Sequence, residues 1–146
     1  MGGWQERPGA RSIVTVKRVL FVCEHNAGRS VMAEALFNRV AAGQAHAESA
    51  GTEPGLQPHP EVVEAMREVG LDVSSHTGRL LTDDMVRAAD RVITMGCAVD
   101  EAACPAIRYT GVEDWGLPDP KGRPIEEVRQ IRDEIERRVR VLMEST

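Results

Sequence analysis

The sequence predicts an α/β protein in which helices cover both faces of a four-stranded parallel sheet, giving three layers. The apolar runs RVLFVC at 18–23 and RVITMG at 91–96 do not alternate with polar residues, as is typical of strands buried on both faces. Segments with helical spacing separate the strand-like runs. This alternation of strands and helices favours a parallel sheet with helices on both sides.

The other elements follow from periodicity and from residues that typically begin or end helices. Gly43 and Gly70 end apolar patterns of helical spacing, and Thr82 is a suitable helix cap. The remaining strands are predicted at 45–52 and 106–111, and the helices at 28–42, 61–70, 81–90 and from about 125 onward. The last helix has one apolar stripe, formed by Val128, Ile131, Ile135, Val139 and Leu142.

Composition limits the class of protein. The 146 residues are 42% apolar and 28% charged, as expected for one globular domain, which we place at 17–146 after a flexible N-terminal extension at 1–16. A net charge of -5 argues against nucleic acid as a partner. No apolar run approaches the roughly 18 residues of a membrane span, and the first residues do not resemble a secretory signal. We therefore expect a cytoplasmic protein that does not bind a membrane.

The segment FVCEHNAGRS carries the strongest functional signal. Cys23 ends a buried strand and Arg29 comes six residues later, where a helix begins. In such a loop the backbone N–H groups and the helix N-terminus favour an anion, and they also favour the thiolate form of a cysteine. The sequence therefore predicts a nucleophilic thiol inside an oxyanion-binding loop.

Each residue type in this loop suits that chemistry. The Arg29 guanidinium can hold two oxygens of a tetrahedral anion, and Ser30 can donate a hydrogen bond to the thiolate. Asn26 tolerates a left-handed backbone, and Gly28 permits close backbone approach. The predicted oxyanion-binding residues are Glu24, His25, Asn26, Ala27, Gly28, Arg29 and Ser30.

The other two cysteines, Cys97 and Cys104, leave an odd total of three, which does not suggest a structural disulfide framework. Their spacing is not that of a zinc knuckle, so we predict no metal. They are either inert buried thiols or redox partners of Cys23.

VCEHNAGRS followed by MAEALF resembles the low-molecular-weight phosphotyrosine phosphatase family, and in particular its arsenate-reductase branch. The resemblance extends from Lys17 to Met143, because DWGLPDPKG is similar to the acid loop of the family and VRQIRDEIERRV to its final helix. It implies a strand order of 2-1-3-4. It also implies that Cys23 is the nucleophile, Arg29 the oxyanion clamp and Asp119 the general acid, a role that suits a carboxyl held between Pro118 and Pro120.

MGCAVDEAACP resembles the redox segment of thioredoxin-coupled arsenate reductases. The resemblance implies that Cys23 forms an adduct with arsenate, that Cys97 attacks Cys23 and releases arsenite, and that Cys104 closes a Cys97–Cys104 disulfide. Thioredoxin would reduce that disulfide. Phosphate and sulfate would mimic arsenate, no cofactor is implied, and we expect a monomer.

Three alternatives remain. A protein tyrosine phosphatase needs only Cys23, but such enzymes usually carry an aromatic residue where Lys121 stands. An arsenate–mycothiol transferase also needs only Cys23. A redox sensor would use the same thiol, although it would not need Asp119 as an acid.

Some relatives bind potassium beside the catalytic loop through an Asn, a Glu, a Ser and an Asp. Asn26, Glu34 and Ser49 match that set, but Arg79 stands at the Asp position. A guanidinium cannot coordinate a cation, and it can replace the cation's charge. The sequence therefore predicts no potassium site.

Overall fold

A computed structural model of the protein describes residues 17–96 and 112–144. The predicted extension at 1–16 and the residues Cys97 and Cys104 lie outside the described residues. The elements, in chain order, are β1 (Arg18–Cys23), α1 (Arg29–Ala41), β2 (His46–Gly51), α2 (Pro60–Arg67), α3 (Asp83–Ala88), β3 (Arg91–Thr94), β4 (Val112–Asp114) and α4 (Ile125–Glu144).

The four strands form one parallel sheet in the order β2-β1-β3-β4, which confirms the predicted fold class and the strand order 2-1-3-4. β1 is an inner strand and its last five residues are buried, as its uninterrupted apolar sequence predicts. Val19 and Phe21 contribute to one core cluster, whereas Leu20 and Val22 contribute to another. Because side chains alternate along a strand, these two clusters lie on opposite faces of the sheet.

Helices cover both faces. Helices α1, α2 and α4 contribute to the larger cluster, and α3 contributes Val86 to the smaller one. The larger core is mainly aliphatic, but its aromatic residues pack together: the ring centroid of Phe21 lies 6.1 Å from that of Phe37 and 5.6 Å from that of Trp115. The sheet therefore forms the middle of three layers.

The sequence predicts the fourth strand at 106–111, which lies outside the described residues. The strand that pairs with β3 in the described part of the chain is β4, at Val112–Asp114. Among the described residues, three pair with β3, from Val92↔Val112 to Thr94↔Asp114. The predicted Pro/Gly loop therefore begins after this strand.

Two helices are shorter than predicted. Helix α2 ends at Arg67, and a turn leads to Gly70, whose φ of +83° suits glycine. Helix α3 spans Asp83–Ala88 within the predicted 81–90, and its predicted cap is confirmed, because Thr82 Oγ1 accepts a hydrogen bond from Met85 N at 3.2 Å.

Helix α4 buries the whole predicted apolar stripe, and it also buries an arginine side chain, that of Arg132. Arg132 is only 8% exposed, and its Nη1 donates to Ala65 O at 2.8 Å and to Glu68 Oε1 at 2.9 Å. Arg132 thus joins α4 to the end of α2. In the described ranges, no helix has the length and apolar character needed to cross a membrane.

Replacing Arg132 with Met should lower the free energy of unfolding by about 1–3 kcal/mol, because the buried Ala65 carbonyl loses its donor while the apolar stem is kept. Urea unfolding would measure the change. The matched control is Arg140→Met, which removes an exposed ion pair with Glu136 on the same helix and should cost less than about 1 kcal/mol. Equal losses in the two variants would contradict the role assigned to Arg132.

Candidate active site

Parallel pairing places Cys23, the predicted nucleophile, at the carboxyl end of an inner strand. Cys23 is the last residue of β1, and five residues separate it from Arg29, the first residue of α1. The Cys23 side chain is buried, and its Sγ lies 2.9 Å from Ser30 Oγ. The structure thus brings together the predicted nucleophile and its predicted hydrogen-bond partner.

When Cys23 is a thiolate it can only accept, so Ser30 must donate this hydrogen bond. The backbone N–H of Arg79 donates to Asn26 Oδ1 at 3.0 Å, which identifies that side-chain atom as the oxygen. The Asn26 amide nitrogen therefore faces Ser30 and donates to Ser30 Oγ at 2.8 Å. The hydroxyl hydrogen of Ser30 is then free to point at Cys23 Sγ, where it stabilises a thiolate.

His76 binds the same amide oxygen, a contact that sequence reasoning missed. Its Nε2 lies 3.0 Å from Asn26 Oδ1, and because this oxygen only accepts, Nε2 must carry the hydrogen. Burial lowers the pKa of His76 below its usual value, although the nearby Glu34 carboxylate opposes the shift. The ring is therefore neutral near pH 7, with its hydrogen on Nε2.

The backbone of the loop is held by its carbonyl groups. Glu24 O, His25 O and Ala27 O accept hydrogen bonds of 2.8, 2.8 and 2.9 Å from the N–H groups of residues 53, 55 and 59. Within 17–96 and 112–144, none of the N–H groups of residues 24–28 donates to a backbone carbonyl. Asn26 has a φ of +49°, in the left-handed region that asparagine tolerates. The loop therefore offers its N–H groups to an anion.

Arg29 is braced by carbonyls from two other loops. It is 8% exposed, and its Nη1 donates to Met95 O at 3.0 Å and Leu117 O at 2.9 Å. A Cβ on Gly96 would lie 2.7 Å from Arg29 Nη1, and the φ of Gly96 is +124°, so glycine is needed beside the guanidinium. These contacts fix the predicted clamp at the carboxyl ends of β1 and β3.

The loop that follows β4 places Asp119 at the mouth of the site. Asp119 Oδ2 lies 3.9 Å from Arg29 Nη2, and Oδ1 accepts a hydrogen bond from Lys121 N at 3.0 Å. A Cβ on Gly28 would lie 3.0 Å from Pro120 Cγ, so the two loops are in close contact. The Asp119 side chain is 42% exposed and can therefore exchange protons with water.

Two more residues at this edge were not anticipated from the sequence. His59 lies against Gly28, and burial lowers its pKa, although the Asp119 and Glu61 carboxylates oppose the shift. A Cβ on Gly51 would lie 2.7 Å from Glu24 O, so a glycine at the end of β2 permits the loop after β1 to approach. Neither residue has a local sequence signal, because each acts on a loop elsewhere in the chain.

The residues that match a potassium site do not fit one here. Ser49 Oγ donates to Glu34 Oε1 at 2.6 Å, and Arg79 Nη1 lies 3.6 Å from that same carboxylate oxygen. Arg79 Nη1 also lies 3.4 Å from Ser49 O. A guanidinium is thus placed among the oxygens that would hold the cation.

Comparison with known proteins agrees with this geometry. A putative arsenate reductase of Halobacterium salinarum is 42% identical over 124 residues, which are 82% of this chain and 85% of that protein. The arsenate reductase of Staphylococcus aureus strain Newman is 38% identical over 125 residues, which are 84% of this chain and 92% of that protein.

The fold also matches a solved structure, that of a thioredoxin-dependent arsenate reductase from Corynebacterium glutamicum. The TM-score is 0.73 and the sequences are 40% identical, with 92% of this chain and 63% of that chain covered. The family model described as low molecular weight phosphotyrosine protein phosphatase matches residues 18–146, from the strand that carries Cys23 through α4. This chain therefore belongs to the low molecular weight phosphotyrosine protein phosphatase family.

Proposed function

We propose that this protein is an arsenate reductase, which converts arsenate to arsenite. The observation that carries the proposal is the hydrogen bond between Ser30 Oγ and Cys23 Sγ, inside a loop whose N–H groups are available to an anion. A thiolate held beside such a loop can attack the central atom of a tetrahedral oxyanion. The similar proteins of H. salinarum and S. aureus, described as arsenate reductases, support the choice of arsenate.

In the first step, arsenate binds to the loop N–H groups and the Arg29 guanidinium, which neutralise its charge. Cys23 Sγ attacks arsenic, so an S–As bond forms while an As–O bond breaks. The departing oxygen leaves as water, and Asp119 supplies one of its protons. Arsenic remains pentavalent in this covalent adduct.

In the second step, the Cys97 thiolate attacks Cys23 Sγ. An S–S bond forms, and the electron pair of the S–As bond stays with arsenic, which leaves as trivalent arsenite. Cys104 then attacks Cys97, releasing the Cys23 thiolate and forming the Cys97–Cys104 disulfide. This step rests on the sequence pattern MGCAVDEAACP and on the relatives, since both cysteines lie outside the described residues.

Thioredoxin is the proposed reductant of the Cys97–Cys104 disulfide. A dithiol protein supplies the two electrons that the cycle consumes, through a mixed disulfide. The C. glutamicum protein with 40% identity is described as thioredoxin-dependent, which supports this partner. The alternative of an arsenate–mycothiol transferase would leave Cys97 and Cys104 without a role.

A phosphatase is the second candidate, because the family model that matches the chain is named for that activity. The same groups would form a thiophosphate on Cys23, which water would hydrolyse. Lys121 follows the Asp119–Pro120 pair, where a phosphotyrosine phosphatase usually has an aromatic residue to stack on its substrate. We therefore assign phosphate esters to a weak side activity.

The position of Asp119 at the mouth of the site disfavours the third candidate, a redox sensor, because a sensor needs no acid for a leaving group.

The redox cascade makes different predictions for Cys97 and Cys104. With thioredoxin, thioredoxin reductase and NADPH, the wild-type protein should consume NADPH only when arsenate is added. Cys97→Ser should abolish both this consumption and arsenite release, because no thiol attacks the adduct. Cys104→Ser should also abolish multiple turnover, but it should release one arsenite per enzyme molecule in a single-turnover experiment.

Slow hydrolysis of a phosphate ester at the wild-type rate in the same preparations would show that all variants are folded, because this side activity needs only Cys23. Full NADPH consumption by Cys104→Ser would contradict the cascade. If arsenate caused no NADPH consumption by the wild type and the wild type hydrolysed the ester rapidly, the protein would be a phosphatase.

Asp119→Asn should slow the hydrolysis of phenyl phosphate by about a hundredfold or more, because the poor leaving group needs a proton in the transition state. Steady-state rates across pH would measure the loss. The pH profile of Asp119→Asn should lack the limb that the ionisation of the general acid produces in the wild type. Asp114→Asn is the matched control, since Asp114 is an exposed carboxylate at the start of the same loop. Its Oδ1 accepts a hydrogen bond from Thr94 Oγ1 at 2.7 Å. Equal rates in the two variants would place the general acid elsewhere.

A further inference from the structure

A second cluster of side chains with potential ligand atoms lies beside the catalytic loop. Glu24 and His25 follow Cys23 directly, and Glu53 follows β2. One ligand atom from each of these three side chains lies within 4.8 Å of the other two. The mechanism above uses none of these three side chains, because the loop would bind an oxyanion through its backbone N–H groups.

The backbone positions all three residues. The register of β1 and β2 pairs Cys23 with Gly51, so the segments after the two strands run side by side. Two hydrogen bonds continue this pairing beyond the sheet, from Glu53 N to Glu24 O and from Gly55 N to His25 O, each of 2.8 Å. The side chains thus project from two segments whose separation is fixed.

The donor set suits a divalent transition metal. One imidazole nitrogen and two carboxylate oxygens are common zinc ligands, and three protein ligands leave an open coordination position for water. Since zinc bonds to these atoms are about 2.0–2.2 Å long, two ligand atoms on one ion are at most about 4.4 Å apart. Glu24 and Glu53 are exposed, so small side-chain rotations can bring the three atoms to that separation.

Electrostatics also favours a cation. In the part of the chain that the structure describes, neither Glu24 nor Glu53 forms an ion pair with a lysine or arginine. Two carboxylates held this close repel each other, and a divalent ion would remove that repulsion. An ion bound to both segments would also restrain the backbone of the catalytic loop.

We propose that Glu24, His25 and Glu53 bind a divalent transition metal ion without a thiol ligand. Zinc is the probe for this site. This site is separate from the potassium-site residues around Arg79, and it does not depend on the proposed arsenate chemistry. The ion joins the segment after β1 to the segment after β2 and stabilises the folded protein.

The test uses protein with all three cysteines changed to Ser, because Cys23, Cys97 and Cys104 could themselves bind zinc. Isothermal titration with zinc should show one saturable site, and zinc should raise the melting temperature. Cobalt should bind without the charge-transfer absorption that marks a thiolate ligand. Circular dichroism would confirm that each variant is folded.

In this background, Glu53→Gln and His25→Gln should each weaken zinc binding by about tenfold or more and abolish the rise in melting temperature, because each removes a ligand. Glu64→Gln, which changes an exposed carboxylate on α2 outside the cluster, should bind zinc as the parent does. Parent-like affinity in either ligand variant would overturn the proposed site, and so would the absence of saturable zinc binding by the cysteine-free parent.

Discussion

The site depends on the parallel pairing of β1 with β2 and β3. This pairing brings Cys23 next to Gly51, and Met95, just beyond β3, donates its N–H to Val22 O at 2.8 Å. Because the carboxyl ends of all these strands meet at one edge, loops that are distant in sequence converge around one thiol. The Arg29 guanidinium then locks the convergence, since it donates to the carbonyls of Met95 and Leu117. A change in register would separate the nucleophile from every group that serves it.

A chain of directed hydrogen bonds links Arg79, Asn26 and Ser30 to the Cys23 sulfur. The N–H of Arg79 is an obligatory donor, so it fixes the orientation of the Asn26 amide. That amide in turn donates to Ser30 Oγ, which leaves the Ser30 hydrogen available to the Cys23 sulfur. The hydrogen bonds around a thiol at the end of β1 therefore depend on a backbone group more than 50 residues away.

Sequence reasoning succeeded where the signal was local. The uninterrupted apolar run of β1, the stripe of α4 and the short Cys23-to-Arg29 spacing each identified an element or a candidate site without knowledge of the fold. It failed where the partner was distant. The burial of Arg132 depends on a carbonyl of α2, and His76 has a role only because it meets Asn26. Glu53 joins Glu24 and His25 through strand register, which no local pattern reveals.

The central claim is that Ser30 donates its hydrogen to the Cys23 sulfur. The most direct measurement is the rate of alkylation of Cys23 by iodoacetamide at neutral pH, in protein that carries Cys97→Ser and Cys104→Ser so that only this thiol reacts. Ser30→Ala should lower the rate by about threefold or more, because the sulfur anion loses a hydrogen bond that stabilises it and greater intrinsic nucleophilicity offsets only part of that loss. An equal or faster rate in Ser30→Ala would contradict the hydrogen-bond direction on which this account is built.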